Sequence, residues 1–455
     1  MTQASSSSHL KRQLGLVAVM AVVSGDMLGS GIFYTPQELA PVAQSVWQVY
    51  FFWALCGLIT LCGVLTVGEL GARMPRSGAD YHIIRTGFGG LFGFVKVWST
   101  VWVAGPGSVA AVAILFGKFV SELSGVLSPV LWGVAAVVVF TVINLMGVQW
   151  GGRTQIVLTA IKLMALLALV FGSLIFAEAT EPADTAVKLA NDSDEWWSFF
   201  RLMGLGIAAV LFTYDGWIDI VHAAGEVKNP QRNLPIGLTA GVVLIIAIYL
   251  LANFAFLRVV PLHEMARSDS LAAVTVARKA FGNVGGQFIT VLMMISILGA
   301  LGGLVMTFPR LIFAAGSHYT ARSADESGLL KRLFRFLGAV SSNTQVPFGA
   351  ILLNAVTAVT ALVFFQSFSR IVNFFVVPNQ LFNILLVASI FRLPRDADTA
   401  RHRMVGYPII PLIYIVTIAG FLVGAFVYNP GDTAIGLALA ATGVPVYLWL
   451  ERKRS

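Results

Sequence analysis

The sequence is poor in charge. Asp, Glu, Lys and Arg make up 11% of its 455 residues, against about 25% in an ordinary soluble domain. With 57% of the chain hydrophobic, that shortage excludes a globule solvated by water. Cysteine is nearly missing as well. Cys56 and Cys62 fall in one apolar run and imply packing, not a disulfide framework. Reactive groupings are also lacking. His222 stands alone along the chain, so no metal site follows, and no Ser/His/Asp or Cys/His constellation falls within the apolar runs. No cofactor is expected, and an enzyme is the poorest reading. The start lacks a cleavage site of small residues, so its first apolar run is kept as a membrane span, not a removable signal.

What the chain does have is length without charge. Uncharged runs at 46–68, 125–152, 233–257, 280–309 and 404–431 are each long enough to cross a hydrocarbon layer of about 30 Å. We expect an all-α integral membrane protein with twelve spans, at 15–43, 46–71, 90–122, 128–148, 154–177, 199–225, 235–260, 284–315, 347–366, 370–391, 405–428 and 432–450. The net charge of +8 would suit nucleic acid, but its distribution argues for topology instead. Lys11, Arg12, Arg73, Arg76, Arg85, the Arg322–Arg335 group, the Arg392–Arg403 group and the terminal Arg452–Arg454 all fall on one side of such a layout. That side is then cytoplasmic, with both termini on it. Nucleic acid is not an expected partner. Two connections are long: an acidic outer one at 178–197, whose Asn191-Asp192-Ser193 triplet is a chance glycosylation match, and a basic inner one at 317–345.

Two spans are interrupted. The first contains GSGIF at 29–33 and the sixth contains YDGW at 214–217. Glycine lets the backbone leave helical geometry, and the freed N–H and C=O groups are tolerated in a membrane only where they face a cavity. Breaks five spans apart suggest two five-helix inverted repeats with two additional helices. The expected units are a tail at 1–14, a first repeat at 15–177, a second at 199–391, a helix pair at 405–450 and a tail at 451–455.

Deep charges gather on the same helices. A charge near the bilayer centre costs about 3 kcal/mol or more, yet Asp26, Lys162, Asp215 and Asp219 lie within spans one, five and six. Glu69 and Lys96 sit near span ends, where they could snorkel. Freed N–H groups at Ser30, Gly31 and Ile32 suit a carboxylate, and carbonyls around Phe212, Thr213 and Tyr214 suit an ammonium. Together they fit a zwitterion, an α-amino acid. The alternative is a close-packing glycine motif. Lys162 could change protonation, brace span one in place of sodium, or pair with Asp26 or Asp215. Asp215 could contact the substrate amine or hold the unwound segment, while Asp219 suits an aqueous path or a helix partner. Phe212, Tyr214 and Trp217 are either a gate or packing. Gly107, Ser108 and Asn379 are weaker candidates for the pocket floor.

These residues resemble the amino acid–polyamine–organocation superfamily, and within it bacterial relatives of the L-type amino-acid transporters. The resemblance rests on GSGIFYTP, GELGARMPRSGADYHIIRTGFG, YDGWIDIVHAAGEVKNPQRNLP, PRLIFAAGSHY and GLALAATGVPVY. It implies a LeuT-type 5+5 fold and sodium-independent transport of amino acids, neutral ones first, by exchange or with protons. Cationic amino acids or polyamines are the second choice, and a sensor that binds without transporting is the alternative of another class. It also implies that the substrate carboxylate meets Ser30, Gly31 and Ile32, beside Gly29. The amine then meets carbonyls near Met27 and at Phe212 to Tyr214, Phe212 is a gate, Lys162 stands in for sodium, and Tyr249 serves the inner side. Asp26 departs from the family pattern and could signal proton coupling, a basic substrate or a pair with Lys162. The connection at 122–129 has no cysteine, so no disulfide-linked heavy chain is expected.

Overall fold

The computed structural model describes residues 10–29, 31–41, 43, 45–178, 206–207, 210–211, 213–268, 271–322, 329–394, 404–428 and 430–452. Among these, every assigned element is helical apart from one isolated bridge between Leu14 and Val227. Helix α1 (Leu16–Met27) stops at Leu28, and the chain resumes as α2 (Gly31–Leu39). Ser45 caps α3 (Val46–Arg73) by accepting the Gln48 N–H at 3.3 Å. After α4 (Ala79–Phe88), α5 (Gly90–Ser99) passes through a wide turn at Thr100–Ala104 into α6 (Gly105–Ser124). Ser128 caps α7 (Pro129–Leu145), with proline at the first position, where no N–H is needed. Helix α8 (Val148–Phe176) follows.

The second half begins, among described residues, near the short α9 (Asp219–His222). It continues as α10 (Pro230–Val259), α11 (Ala272–Thr307), α12 (Pro309–Arg322), α13 (Leu329–Leu337), α14 (Phe348–Phe365), α15 (Phe368–Ala388), α16 (Ile409–Tyr428), α17 (Pro430–Ala441) and α18 (Gly443–Arg452). Among the described residues, ten helical stretches are long and apolar enough to cross a membrane, and α7 is a shorter apolar helix of 17 residues. Their outer faces expose Leu131, Val138 and Val142 on α7 and Leu412, Val416 and Val423 on α16. In water such faces would aggregate; hydrocarbon solvates them. Helix α1 sits inside, packed on α8, α10 and α11.

Several boundaries differ from expectation. Helix α8 starts at Val148, not at 154. The eighth span, expected at 284–315, already begins at Ala272, bends at Gly282 (φ 69°) and is followed by α12. The inner connection expected at 317–345 contains α13. Arg153, Arg278 and Lys279 disguised the helix starts as loop, because exposed end turns of a spanning helix carry charge without ceasing to be helix. The expected acidic connection lies almost wholly outside the described residues.

One face is tied together by the N-terminal segment. The Gln13 and Leu14 N–H groups donate to the Glu226 carbonyl at 2.7 and 2.9 Å, and Lys228 N–H donates to the Leu14 carbonyl at 2.8 Å. The Glu226 carboxylate accepts from Arg310 Nε at 2.7 Å and Nη2 at 3.2 Å. We call this the tail face.

Candidate functional site: two interrupted spans around a cavity

Where α1 ends, Leu28 N–H still reaches the Ser24 carbonyl at 2.9 Å, but Gly29 N–H turns to Met27 at 2.8 Å. The released carbonyls are gathered from behind. Lys162 Nζ donates to the Gly25 carbonyl, to Leu28 at 2.9 Å and to Ser296 at 3.3 Å. An ammonium has three N–H bonds, so all are used on carbonyls, and Lys162 forms no ion pair with Asp26 or Asp215 among the described residues. Ser296 Oγ donates to the Leu28 carbonyl at 2.8 Å. One turn and two turns before Lys162, the same face of α8 presents Thr159 and Gln155. Thr159 Oγ1 donates to the Ala21 carbonyl at 2.9 Å, and Gln155 Nε2 to Asp26 Oδ1 at 3.0 Å.

The second break meets the first. Thr213 is helical, the chain turns through 214–218, and α9 follows. Gly216 takes φ 101°, where a side chain is strained. A Cβ there would also sit 3.0 Å from the Asp26 carbonyl carbon. A Cβ on Gly31 would lie 2.5 Å from Thr213 Cγ2. The Thr35 and Thr213 hydroxyls are 2.6 Å apart. Tyr249 spans both breaks: its hydroxyl donates to the Met27 carbonyl at 2.7 Å and lies 3.4 Å from that of Thr213.

Between the breaks is a cavity of about 110 Å³, large enough for several water-sized groups, each needing roughly 10–15 Å³ of that measure. Asp26, Met27, Gly29, Gly31, Thr213, Asp215, Gly216 and Asp219 line it from the breaks. Ser108 and Asn379 add polar atoms, and Ile297, Ala300, Leu304, Phe308, Phe368 and Phe375 add an apolar wall. Ile32 is fully buried and Lys162 is 1% exposed, the latter behind the break. Gly107 abuts the Phe375 ring. Ser30 and Phe212 lie outside the described residues. Tyr214 and Trp217 are not brought to this cavity. They line a separate space of about 20 Å³ with Thr60, Gln380 and Tyr414. The Tyr214 hydroxyl donates to the Trp53 carbonyl at 3.1 Å, and the Trp217 ring stands edge-on to Tyr414 at 6.0 Å. Asp215 lines both spaces.

Residues 14–449 match the amino acid permease family. The chain belongs to that family. The permease is 30% identical over 455 residues to the serine/threonine exchanger SteT of Bacillus subtilis, covering 98% of each chain. It is 29% identical over 450 residues to the human large neutral amino acids transporter small subunit 2, covering 96% of the permease and 80% of the relative. It is 27% identical over 460 residues to the human cystine/glutamate transporter, covering 98% and 87%. The permease is thus a multi-pass membrane protein of amino acid transport, not an enzyme.

Three ionisable positions in the permease differ from the sequence reading. Lys96 does not snorkel: it is 3% exposed, with Nζ 3.6 Å from Asp80 Oδ2. Glu69 does not snorkel either: it is bonded to Arg73 and accepts the Met404 N–H at 2.7 Å. His222 is not alone. Its Nε2 lies 3.3 Å from Asp80 Oδ2 and its Nδ1 4.0 Å from Asp219 Oδ1. Burial pushes the Asp80 carboxyl up, but His222, Lys96 and the Tyr81 N–H outweigh it and hold it down at about 2. Sequence reasoning also missed Gln155, Thr159, Ser296 and Phe308. The first two carried a signal, since they repeat at helical spacing before Lys162. Ser296 and Phe308 carried none.

Proposed function

We propose that the permease is a sodium-independent secondary transporter of amino acids, favouring neutral L-amino acids, that works by alternating access as an exchanger or a proton-coupled importer. The observation that carries this is the meeting of two interrupted spans at one cavity. The start of α2 offers N–H groups at Gly31 and Ile32 with no earlier helical carbonyl to accept them, which suits a carboxylate. The carbonyl edge near Met27 and Thr213 suits an ammonium. Ile297, Leu304, Phe308 and Phe375 then face the substrate side chain, which favours an uncharged one. Lys162 lies on the carbonyls of Gly25, Leu28 and Ser296, a set of oxygens that would otherwise suit a monovalent cation, and this supports sodium independence.

Cationic amino acids or polyamines are the second reading. Asp26, Asp215 and Asp219 all line the cavity, and Asp26 Oδ2 is buried without a hydrogen-bond partner. Counterflow into sodium-free proteoliposomes, with a panel of amino acids and polyamines, tests both. Strong counterflow by neutral amino acids supports the first reading, and counterflow restricted to arginine, lysine and polyamines replaces it with the second. Saturable binding without flux would make the protein a sensor instead.

The same reading includes twelve spans in a LeuT-type arrangement, with repeats at 15–177 and 199–391 and a helix pair at 405–450. It places both termini in the cytoplasm of a bacterial cell and the protein in the inner membrane. It expects no disulfide-linked second subunit, because Cys56 is buried and Cys62 half-buried in α3. A single cysteine added at either end and challenged with an impermeant reagent in whole cells tests the orientation; labelling from outside would reverse it.

A further inference from the structure

A row of buried ionisable side chains leaves the cavity toward the tail face, and beyond Asp219 substrate binding does not use it. Asp219 lines the cavity. His222, less than a turn on, faces Asp219 Oδ1 with Nδ1 at 4.0 Å and Asp80 Oδ2 with Nε2 at 3.3 Å. Lys96 ends the row 3.6 Å from the same Asp80 oxygen. Asp219, His222, Asp80 and Lys96 are 5%, 2%, 1% and 3% exposed. The Phe308 ring lines the cavity and lies 5.3 Å from the imidazole, so His222 backs the cavity wall. The His222 carbonyl accepts the Gly78 N–H at 2.6 Å, which fixes its backbone to the loop before α4.

Burying ionisable groups is costly, and Asp80 with Lys96 would already make a balanced pair. An imidazole and a further carboxylate beside that pair need another reason. Each ring nitrogen faces a different carboxylate, and a neutral imidazole donates from one nitrogen while accepting at the other. His222 Nδ1 and both carboxylate oxygens of Asp80 have no hydrogen-bond partner. The 4.0 Å step exceeds a hydrogen bond of about 2.7–3.2 Å, so a small rotation or one water makes or breaks the link.

The carboxylates facing His222 are Asp80 from α4 and Asp219 from its own segment; Lys96 from α5 stands on Asp80, and Asp26 from α1 and Asp215 stand beside Asp219. Glu226 and Arg310 follow it in sequence or space and are bonded to each other. The only ionisable side chains of α11, Arg278 and Lys279, lie at its far end.

We propose that His222 is a proton-transfer residue, passing a proton between Asp219 at the cavity and water at the tail face, while Asp80 and Lys96 hold its imidazole in place. The proton leaves the Asp219 carboxyl for Nδ1, and the imidazolium so formed then gives its Nε2 proton to a water drawn in from the tail face; no electrons move, and tautomer exchange resets the ring. Asp80 remains ionised throughout as a fixed charge. This rests on the transport reading and adds a coupled ion to it.

The test uses one set of proteoliposomes and two assays, counterflow at equal pH and net uptake driven by an inward proton gradient. Wild type is expected to show both. His222→Gln is expected to keep counterflow and to lose gradient-driven accumulation about tenfold or more. A wild type that exchanges but ignores the gradient overturns the proposal and leaves the transport reading intact. A wild type with neither activity removes both. A His222→Gln protein that accumulates substrate like wild type also overturns the proposal. If that variant loses both activities, Asp80→Asn decides, since it keeps the imidazole and removes its fixed charge. It is expected to keep counterflow and move the acid side of the gradient-driven pH profile to lower pH; an unmoved profile overturns the proposal.

Discussion

At position 162 an ammonium group meets three carbonyl oxygens instead of a carboxylate. Truncating it in Lys162→Ala leaves the Gly25, Leu28 and Ser296 carbonyls buried with fewer donors, at about 1–3 kcal/mol for each oxygen left bare. Transport is expected to fall about tenfold or more, because about 1.4 kcal/mol of lost site geometry is already a factor of ten; unchanged flux in proteoliposomes would remove the brace. A second residue-scale effect sits outside the spans. Burial, with Arg76 nearby, pushes the His82 imidazole down to about 4 from its ordinary 6.5. The folded state therefore favours neutral His82. Its contribution is complete above pH 6.5 and is lost as pH falls toward 4, where the unfolded chain takes up a proton first. Thermal unfolding in detergent is expected to lose less stability over that window in His82→Gln than in wild type. The deep charges Asp26 and Lys162 were legible in the sequence because each stands in an apolar run. Lys96 was not, since distance from a span end says nothing about a helix such as α4 folding across it.

At the scale of elements, the two breaks depend on each other. Gly31 leaves room for Thr213, and Gly216 leaves room for Asp26. Gly31→Val would drive a branched side chain into Thr213, so substrate binding is expected to weaken by about tenfold or more, as overpacking of about 1–3 kcal/mol implies. Wild-type affinity by scintillation proximity would count against the cradle. The positions of both breaks were legible from glycine within apolar runs. Where the side chains after the second break point was not. Helical residues advance by a fixed angle, but Gly216 at φ 101° resets that angle. Trp217 consequently faces Tyr414 and the small second space instead of the central cavity.

Over the whole molecule, the apolar runs announced the helices, and the charged end turns concealed where α8 and α11 begin. The brace at Lys162 also sets a property of the complete transporter. Uptake in choline and sodium buffers of equal ionic strength is expected to agree within about twofold, since a carbonyl set already satisfied by an ammonium has little left to offer a second cation. Strong sodium stimulation would contradict that arrangement.

The strap between Leu14 and Val227 joins the start of the chain to the loop that follows α9. Any swing of that loop during a transport cycle therefore drags Gln13 and Leu14 along as passengers. A fluorophore on an exposed neighbour, Lys11→Cys, is expected to change brightness when substrate is added, turning this strap into a built-in tachometer for turnover.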